Sequence, residues 1–189
     1  MKILKLSTNI KLFFFWSVLI ITSCAQPHKK EIKEINLWGK KLDTVEVILN
    51  GIDTTIISNN LTTMHDYLKT ISEEFEQSLN KETGFLMNDY QLIQKEARKF
   101  QVAHKKAQEE LKYTRDQLED LRGALKTGSI EDEAEIIQYM SDERNAVEQL
   151  SKFAVDLNNW FHSTNTKFDN IQPKVKSFVD SLASVRANQ

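Results

Sequence analysis

Cysteine, proline and glycine are all scarce in this chain of 189 residues, and each scarcity excludes a class of structure. Cys24 is the only cysteine, so no disulfide bond can form within one copy of the chain. Two prolines and five glycines are too few for the many tight turns of an all-β sandwich or barrel. The composition therefore favours a few long helices.

An excess of basic charge is absent as well. The chain carries 25 lysines and arginines against 27 aspartates and glutamates, which gives a formal net charge of −2. A protein that binds nucleic acid needs a basic excess or a basic stripe opposite the phosphates. The sequence therefore predicts no nucleic acid partner.

The N-terminal apolar run is too short for a permanent membrane span. Lys2, Lys5 and Lys11 precede an apolar run over residues 12–21, which holds about half of the ~20 apolar residues that a helix needs to cross a bilayer core. Basic residues before a short apolar run are the layout of an export signal that is removed from the mature protein. We therefore expect export, not a transmembrane anchor.

The end of this segment, Ile21-Thr22-Ser23-Cys24, resembles the lipobox of bacterial lipoproteins. In that family an aliphatic residue and two small residues precede a cysteine that is lipidated and becomes the mature N-terminus. Leucine is preferred where Ile21 stands, and the resemblance covers only the leader and its cysteine. It implies three acyl chains, palmitate among them, on Cys24 as the attachment to a lipid bilayer. Because Ala25 follows in place of aspartate, it also implies the outer membrane, with the protein facing the periplasm. An ordinary secretory signal that happens to contain a cysteine is the alternative.

These features divide the chain into three parts. Residues 1–23 are the signal peptide, and without them 22 lysines and arginines stand against 27 acidic residues, a formal net charge of −5. Residues 24–41 are predicted to be the lipidated cysteine and a polar tether, whose lysine pairs contact anionic headgroups. Residues 42–189 are predicted to form one domain, long enough to bury a core.

Apolar residues in the last third of the chain recur at alternating steps of four and three. A sustained repeat of 3.5 residues keeps one apolar seam against a partner helix along a left-handed supercoil. Glu143 and Thr164 are the polar members of this seam. A second apolar stripe lies one position beside it, so we expect this helix to contact two neighbours. The apolar seam members are Ile136, Met140, Val147, Leu150, Ala154, Leu157, Phe161, Phe168, Ile171, Val175, Phe178, Leu182 and Val185. The second stripe consists of Tyr139, Ala146, Phe153 and Trp160.

The middle third carries a similar seam, with His104 and Thr114 as its polar members. Gly128 is predicted to close this helix as a left-handed C-cap, and Ser129 with Asp132 to form the capping box of the next helix. Two helices joined by so short a link must lie antiparallel. The apolar members of the middle seam are Leu86, Tyr90, Ile93, Ala97, Phe100, Ala107, Leu111, Leu118, Leu121 and Leu125.

The first third allows two interpretations. β-Branched residues over 44–57 surround Asn50-Gly51, which is a strong hairpin dipeptide. The four-three spacing is present too, and a helix starting near Asp43 would match the middle helix in length, which favours helix. The heptad phase slips over residues 58–60, where we expect a kink or a local break. The helical stripe consists of Leu42, Val45, Leu49, Ile52, Ile56, Leu61, Met64, Leu68, Ile71, Phe75 and Leu79.

Pro173 leaves two possibilities for the C-terminal end. The seam keeps its phase across the proline, so the helix can bend there and continue. Alternatively, Asp169-Asn170 caps a separate short helix that folds back. A straight continuation would carry Phe178 and Leu182 past the end of the bundle, where exposed apolar residues would mark a docking surface.

The predicted fold is all-α: an elongated, antiparallel, coiled-coil-like bundle of three long helices, or of three with a short fourth. The sequence has no Glu-x-x-His pair for a di-iron site and no His-x-x-x-His zinc spacing. It has no Gly-x-Ser-x-Gly elbow and no phosphate-binding glycine loop. We therefore expect a protein that is not an enzyme and holds no cofactor.

Two functions remain. The leading one is a membrane-anchored cell-envelope lipoprotein that acts as a scaffold and binds a protein partner or a second copy through its C-terminal seam. The alternative is a sensor or carrier that holds a small apolar ligand or a metal between its helices. Antiparallel folding would place His104 near residues 58–60 and Glu143 near Thr114, and a carrier would line its cavity with His104 and Glu143. The same polar residues could instead fix the register of the helices without any ligand.

Overall fold

The computed structural model describes residues 28–74 and 81–186, and within these ranges the chain forms helices and no strand. Helix α1 covers Lys29–Asn50, α2 covers Thr54–Glu74, α3 covers Lys81–Thr127 and α4 covers Glu133–Arg186. Helices α1 and α2 do not pack side by side, whereas each of them packs on both α3 and α4. They therefore act as one broken rod in a three-rod bundle, and the predicted all-α, three-helix architecture is confirmed.

Polar contacts between the rods show in which direction each rod runs. Arg115 of α3 lies 2.9 Å from Asp43 of α1, and Gln101 of α3 donates a 2.9 Å hydrogen bond to the Ser58 hydroxyl of α2. Later residues of α3 thus face earlier residues of the first rod, so the two are antiparallel. In the hairpin of α3 and α4, the Tyr90 hydroxyl donates to the Gln172 side chain at 2.5 Å, which makes α4 antiparallel to α3. Helix α4 therefore runs parallel to the first rod.

The three rods have nearly the same length. Helix α3 has 47 residues and α4 has 54, which correspond to ~70 Å and ~80 Å at 1.5 Å per residue. The first rod runs from Lys29 to Glu74 and reaches along the same distance. The core is consequently a long column of seam residues and not a compact centre.

The seam residues of α3 and α4 are buried as predicted. Every predicted apolar member from Tyr90 to Leu125 and from Ile136 to Val175 is buried, as are His104, Thr114 and Thr164. Leu86 is half-buried, and its neighbour Met87 takes the core position. Because burying a Leu or Phe side chain contributes about 1.5–3 kcal/mol, this column is the main source of stability.

The bundle starts earlier than the sequence predicted. Helix α1 begins at Lys29, and Ile32, Ile35 and Trp38 are buried in the core. The tether assigned to residues 24–41 is therefore wrong over residues 29–41, and the bundle domain does not begin at residue 42. The lysine pairs made this segment resemble a polar linker, but they lie on the exposed face of an amphipathic helix.

The first rod breaks at residues 51–53, not at residues 58–60. Gly51 ends α1, and Asp53 begins α2 by accepting hydrogen bonds from the Thr55 hydroxyl at 2.5 Å and the Thr55 backbone N–H at 3.0 Å. These bonds lower the pKa of the Asp53 carboxyl. The break inserts one residue into the four-three spacing of the buried positions. The next buried residue after Ile52 is therefore Ile57, and Ile56 is exposed. Both the predicted kink at residues 58–60 and the alternative hairpin are wrong.

The turn between α3 and α4 has the predicted glycine cap but a different N-cap. Gly128 has φ 68°, and the Ser129 N–H donates to the Ala124 carbonyl at 3.0 Å, which is the long hydrogen bond of a Schellman motif. Asp132, and not Ser129, caps α4 by accepting the Ala134 N–H at 2.8 Å. Helix α4 therefore starts three residues later than the sequence suggested.

Helix α4 continues through Pro173, so a separate short fourth helix after this proline is wrong. Phe178 and Leu182 are half-buried against the core. The reason is that Tyr90 lies level with Gln172, which brings the start of α3 level with the end of α4. The docking surface predicted at Phe178 and Leu182 is therefore covered by the bundle itself.

Replacing Gly128 with alanine should destabilise the bundle by about 1–2 kcal/mol, because the left-handed backbone is costly for a residue with a Cβ. A Cβ at Gly128 meets no atom within 4 Å, so the backbone alone causes this loss. Gly123→Ala is the matched control: Gly123 lies inside α3 with open space around it, and alanine there should stabilise by about 0.5–1 kcal/mol. Urea unfolding followed by circular dichroism measures both changes. Equal stability of Gly128→Ala and the parent chain would contradict the glycine cap.

Candidate interaction surface

Cys24, the predicted lipidation site, lies outside the described residues. The described bundle begins close behind it, since α1 starts at Lys29. Among the helices of residues 28–74 and 81–186, none combines the length and the apolar character that a membrane span requires.

The His104 side chain contacts the backbone beside the break in the first rod. Its side chain is 6% exposed, and its Nε2 lies 3.0 Å from the backbone carbonyl of Leu49 in the last turn of α1. A carbonyl only accepts, so Nε2 carries the proton and donates. The Phe100 ring stacks beside the imidazole with centroids 6.0 Å apart. The Leu49 carbonyl also accepts the Ile52 N–H at 3.3 Å, so His104 adds a second, shorter hydrogen bond at the break, which lies at residues 51–53 instead of 58–60.

Glu143 does not join the polar layer predicted for it. The ion pair between Glu96 and Lys167, extended along the antiparallel hairpin, places Glu143 level with Asp120 and not with Thr114. Glu143 is half-buried, and burial, followed by the nearby Asp142 charge, raises the pKa of its carboxyl. The predicted register was wrong because α4 begins at Glu133.

Surface grooves run between the helices. One of about 490 Å³ lies between the starts of α1 and α4 and includes Trp38 and Met140 in its lining. Another of about 550 Å³ lies between α3 and α4 and includes Leu92 and Ile171. Neither His104 nor Glu143 lines these two grooves. Within the described ranges, no three His, Cys, Asp or Glu side chains are grouped so that they could hold a metal ion.

Exposed aromatic side chains gather on one side of the bundle. We call this side the α3–α4 face and define it by the exposed residues Phe85, Leu92, Tyr113, Tyr139 and Phe153 with the half-buried Trp160. The ion pair between Lys167 and Glu96, 2.8 Å, marks the flank on which the two helices meet. Trp160, Phe153 and Tyr139 precede Lys167 by one, two and four heptads, so they lie on this flank. Leu92 lines the groove beside Lys167, and Phe85 and Tyr113 lie one and three heptads from Leu92.

Aromatic residues distinguish this face from the rest of the described surface. The exposed Phe and Tyr side chains of the described chain number four, and all of them belong to the α3–α4 face. The other exposed large apolar side chains are aliphatic and scattered over the bundle: Leu37, Val47, Ile56, Val102, Ile137 and Val155. Aromatic residues are enriched at protein interfaces because they bury much apolar area with few rotatable bonds.

The sequence found only half of this face. It identified the Tyr139, Phe153 and Trp160 stripe of α4 and predicted a second neighbouring helix for it. The structure supplies α3 as that neighbour, but Tyr139 and Phe153 remain 45% and 38% exposed. The α3 residues were missed, although Phe85 and Leu92 are seven residues apart and could have been found by comparing outer heptad positions as well as the seam.

Charged residues border the groove of the α3–α4 face in two rows. Glu82, Asp89 and Glu96 follow one another at seven-residue intervals on α3, and Lys167 and Lys174 do so on α4. Glu96 pairs with Lys167 at 2.8 Å. The same register places Asp89 level with Lys174, and both line the groove, yet neither has an ion-pair partner in the described chain. The end of the face therefore presents an acid and a base that are free to bind charges from outside.

Thr164 is a buried polar residue of the seam whose hydroxyl has no hydrogen-bond partner, and it is only 1% exposed. Thr164→Val should raise the free energy of unfolding by about 1 kcal/mol, since an unpaired buried hydroxyl costs about 1–3 kcal/mol. Thr44→Val is the control: the Thr44 hydroxyl is exposed and donates to the Lys40 carbonyl, so we expect a change within about 0.5 kcal/mol. Both values come from urea unfolding. A loss of stability in Thr164→Val would show that the hydroxyl has a partner in solution.

Comparison of the chain with protein-family models, with curated proteins and with solved structures finds no match. The features of this chain that bear on its function are therefore the Cys24 motif, the closed column of seam residues and the α3–α4 face.

Proposed function

We propose that this protein is a lipid-anchored scaffold of a bacterial cell envelope, and that its bundle acts by presenting the α3–α4 face to another polypeptide. The observation that carries this proposal is the gathering of all four exposed aromatic residues of the described chain on that one face. The lipobox resemblance at Cys24 supports the anchor. The absence of aspartate after Cys24 supports the outer membrane, with the bundle in the periplasm.

The geometry of the bundle suits an anchor at one end. Five Cα-to-Cα steps separate Cys24 from Lys29, and at ~3.6 Å per step they span at most ~18 Å. A rod of ~70 Å would thus be held by the end at which α1 begins, with the turn between α3 and α4 near the membrane. The start of α3 and the end of α4 would lie at the far end.

The shape of the α3–α4 face favours a polypeptide over a small molecule as its ligand. Phe85 lies level with the end of α4, and Tyr139 lies near its beginning, so the aromatic residues spread over ~60 Å of the rod. A small ligand needs a concave pocket that buries most of its surface. A helix that lays its apolar side along a groove makes contacts at this spacing.

A carrier of a small apolar molecule is the second candidate. The groove between the starts of α1 and α4 has a volume of about 490 Å³, within the range of ligand sites, and Trp38, Ile136 and Met140 contribute to its lining. Glutamates and lysine stand at its rim, so an occupant would need polar groups as well.

Replacing Cys24 with serine should move nearly all of the protein from the membrane fraction to the soluble fraction, because lipidation requires this cysteine. Ala25→Ser keeps the cysteine and should remain with the membrane. Cell fractionation followed by immunodetection measures both. Membrane attachment of the Cys24→Ser variant would remove the lipid anchor from the proposal.

A photoreactive amino acid at Phe153 should form covalent adducts with a polypeptide in intact cells, because this side chain lies in the α3–α4 face. The same amino acid at Val47 is the control, since Val47 is 73% exposed on α1, away from that face. Gel shifts after irradiation, with mass spectrometry of the adducts, give the result. Equal adducts from both positions, or none from Phe153, would argue against the face as a binding surface.

A further inference from the structure

We propose that the α3–α4 face binds the same face of a second copy of this chain, with the two bundles side by side and pointing in the same direction. The inference rests on the proposed function, because it names the partner of the surface described there. Its core is the reciprocal pairing of Asp89 in each copy with Lys174 in the other.

A two-fold axis parallel to the helices produces this pairing. Such an axis places α3 of each copy against α4 of the other, and it leaves every residue at its own height along the rod. Since α3 and α4 are antiparallel within one copy, the contacts between copies are antiparallel too. The two hairpins then form an antiparallel four-helix arrangement, with the first rod of each copy on the outside.

Charge complementarity favours this arrangement. Asp89 and Lys174 are exposed, lie level and lack ion-pair partners within their own copy, so each can bind its counterpart in the second copy. In the same register Lys106 lies level with residue 157, next to the carboxylate of Asp156. One contact between like charges also arises near the turn between the two helices, because Asp120 lies level with Glu143, next to the carboxylate of Asp142. The dimer thus contains two types of contact between opposite charges, Asp89 with Lys174 and Lys106 with Asp156, and one type of contact between like charges. Each type occurs twice.

The same axis also brings apolar residues of the face in one copy against apolar residues of the face in the other copy. Leu92 lies level with Ile171, and both line the groove that the second copy would cover. Trp160 lies level with Ala103, a small residue of α3 that leaves room for an aromatic ring from either copy. Burial of the exposed parts of Phe85, Tyr113, Tyr139 and Phe153 would remove the aromatic surface from water.

The opposite orientation is less favourable. A two-fold axis across the rods would place α3 against α3, so that the acidic row of Glu82, Asp89 and Glu96 would face no lysine row. It would also place the starts of the two α1 helices at opposite ends of the pair, about one rod length apart. Two copies anchored in one membrane meet side by side with a common direction, and their confinement to a surface raises their effective concentration.

The test is the mass in solution of the chain from residue 24 onwards with Cys24→Ser, which contains every described helix. Sedimentation equilibrium should show a dimer in the micromolar range. Asp89→Lys and Lys174→Asp should each weaken the dimer about tenfold or more, because every reciprocal pair becomes a pair of like charges. An equimolar mixture of the two variants should dimerise again, since one copy then carries two lysines and the other two aspartates.

Leu92→Asp and Val47→Asp separate the face from the rest of the surface. Leu92→Asp should weaken the dimer, whereas Val47→Asp, on the exposed side of α1, should leave its dissociation constant unchanged. The mixture of Asp89→Lys and Lys174→Asp also tests for misfolding, because misfolded chains would not form a dimer when they are mixed.

A chain that sediments as a monomer up to about 100 µM overturns the self-association. So does a mixture of Asp89→Lys and Lys174→Asp that stays monomeric while each variant keeps its helical circular dichroism. Photoadducts at Phe153 to a different protein, together with a monomeric mass, would reject the second copy as partner and retain the scaffold. A dimer in solution combined with membrane attachment of the Cys24→Ser variant would reject the anchor and retain the dimer.

Discussion

The whole structure depends on keeping an apolar seam buried along three rods of similar length. With no disulfide available, a helix in this bundle is stable only where its 3.5-residue stripe finds a facing stripe. This constraint explains why α1 begins as early as Lys29 and why α4 continues through Pro173. At each of these points a shorter helix would leave buried positions of α3 exposed to water.

The same constraint explains the break between α1 and α2. The apolar pattern shifts by one residue between Ile52 and Ile57, and a continuous helix would rotate one of the two stripes away from the core. Gly51 and Asp53 interrupt the helix instead, and the cost appears as backbone groups without helical partners. Asp53 satisfies the start of α2, and His104 satisfies the Leu49 carbonyl at the end of α1. A polar residue in the middle seam thus has a structural role that requires no ligand.

Sequence reasoning succeeded where the apolar repeat runs for many heptads and failed where it is short or interrupted. The seams of α3 and α4 are long, so their buried residues could be predicted almost completely. Residues 29–41 hold three core positions between lysine pairs, too few to outweigh a polar composition. The break was misplaced because the Asp53 cap depends on a side-chain hydrogen bond, whereas the sequence argument followed only the apolar phase. The α3–α4 face was half found, since exposure is the outcome of packing by all three rods and not of one stripe.

The parallel course of the first rod and α4 separates the two ends of the molecule. The start of α1 and the end of α4 lie at opposite extremes of a rod of ~70 Å, and continuous helix or capped junctions fill the distance between them. A group joined at one extreme is therefore kept at a set distance from a group joined at the other. In this respect the molecule works as a spacer, and the number of heptads in its seam sets the distance that it spans.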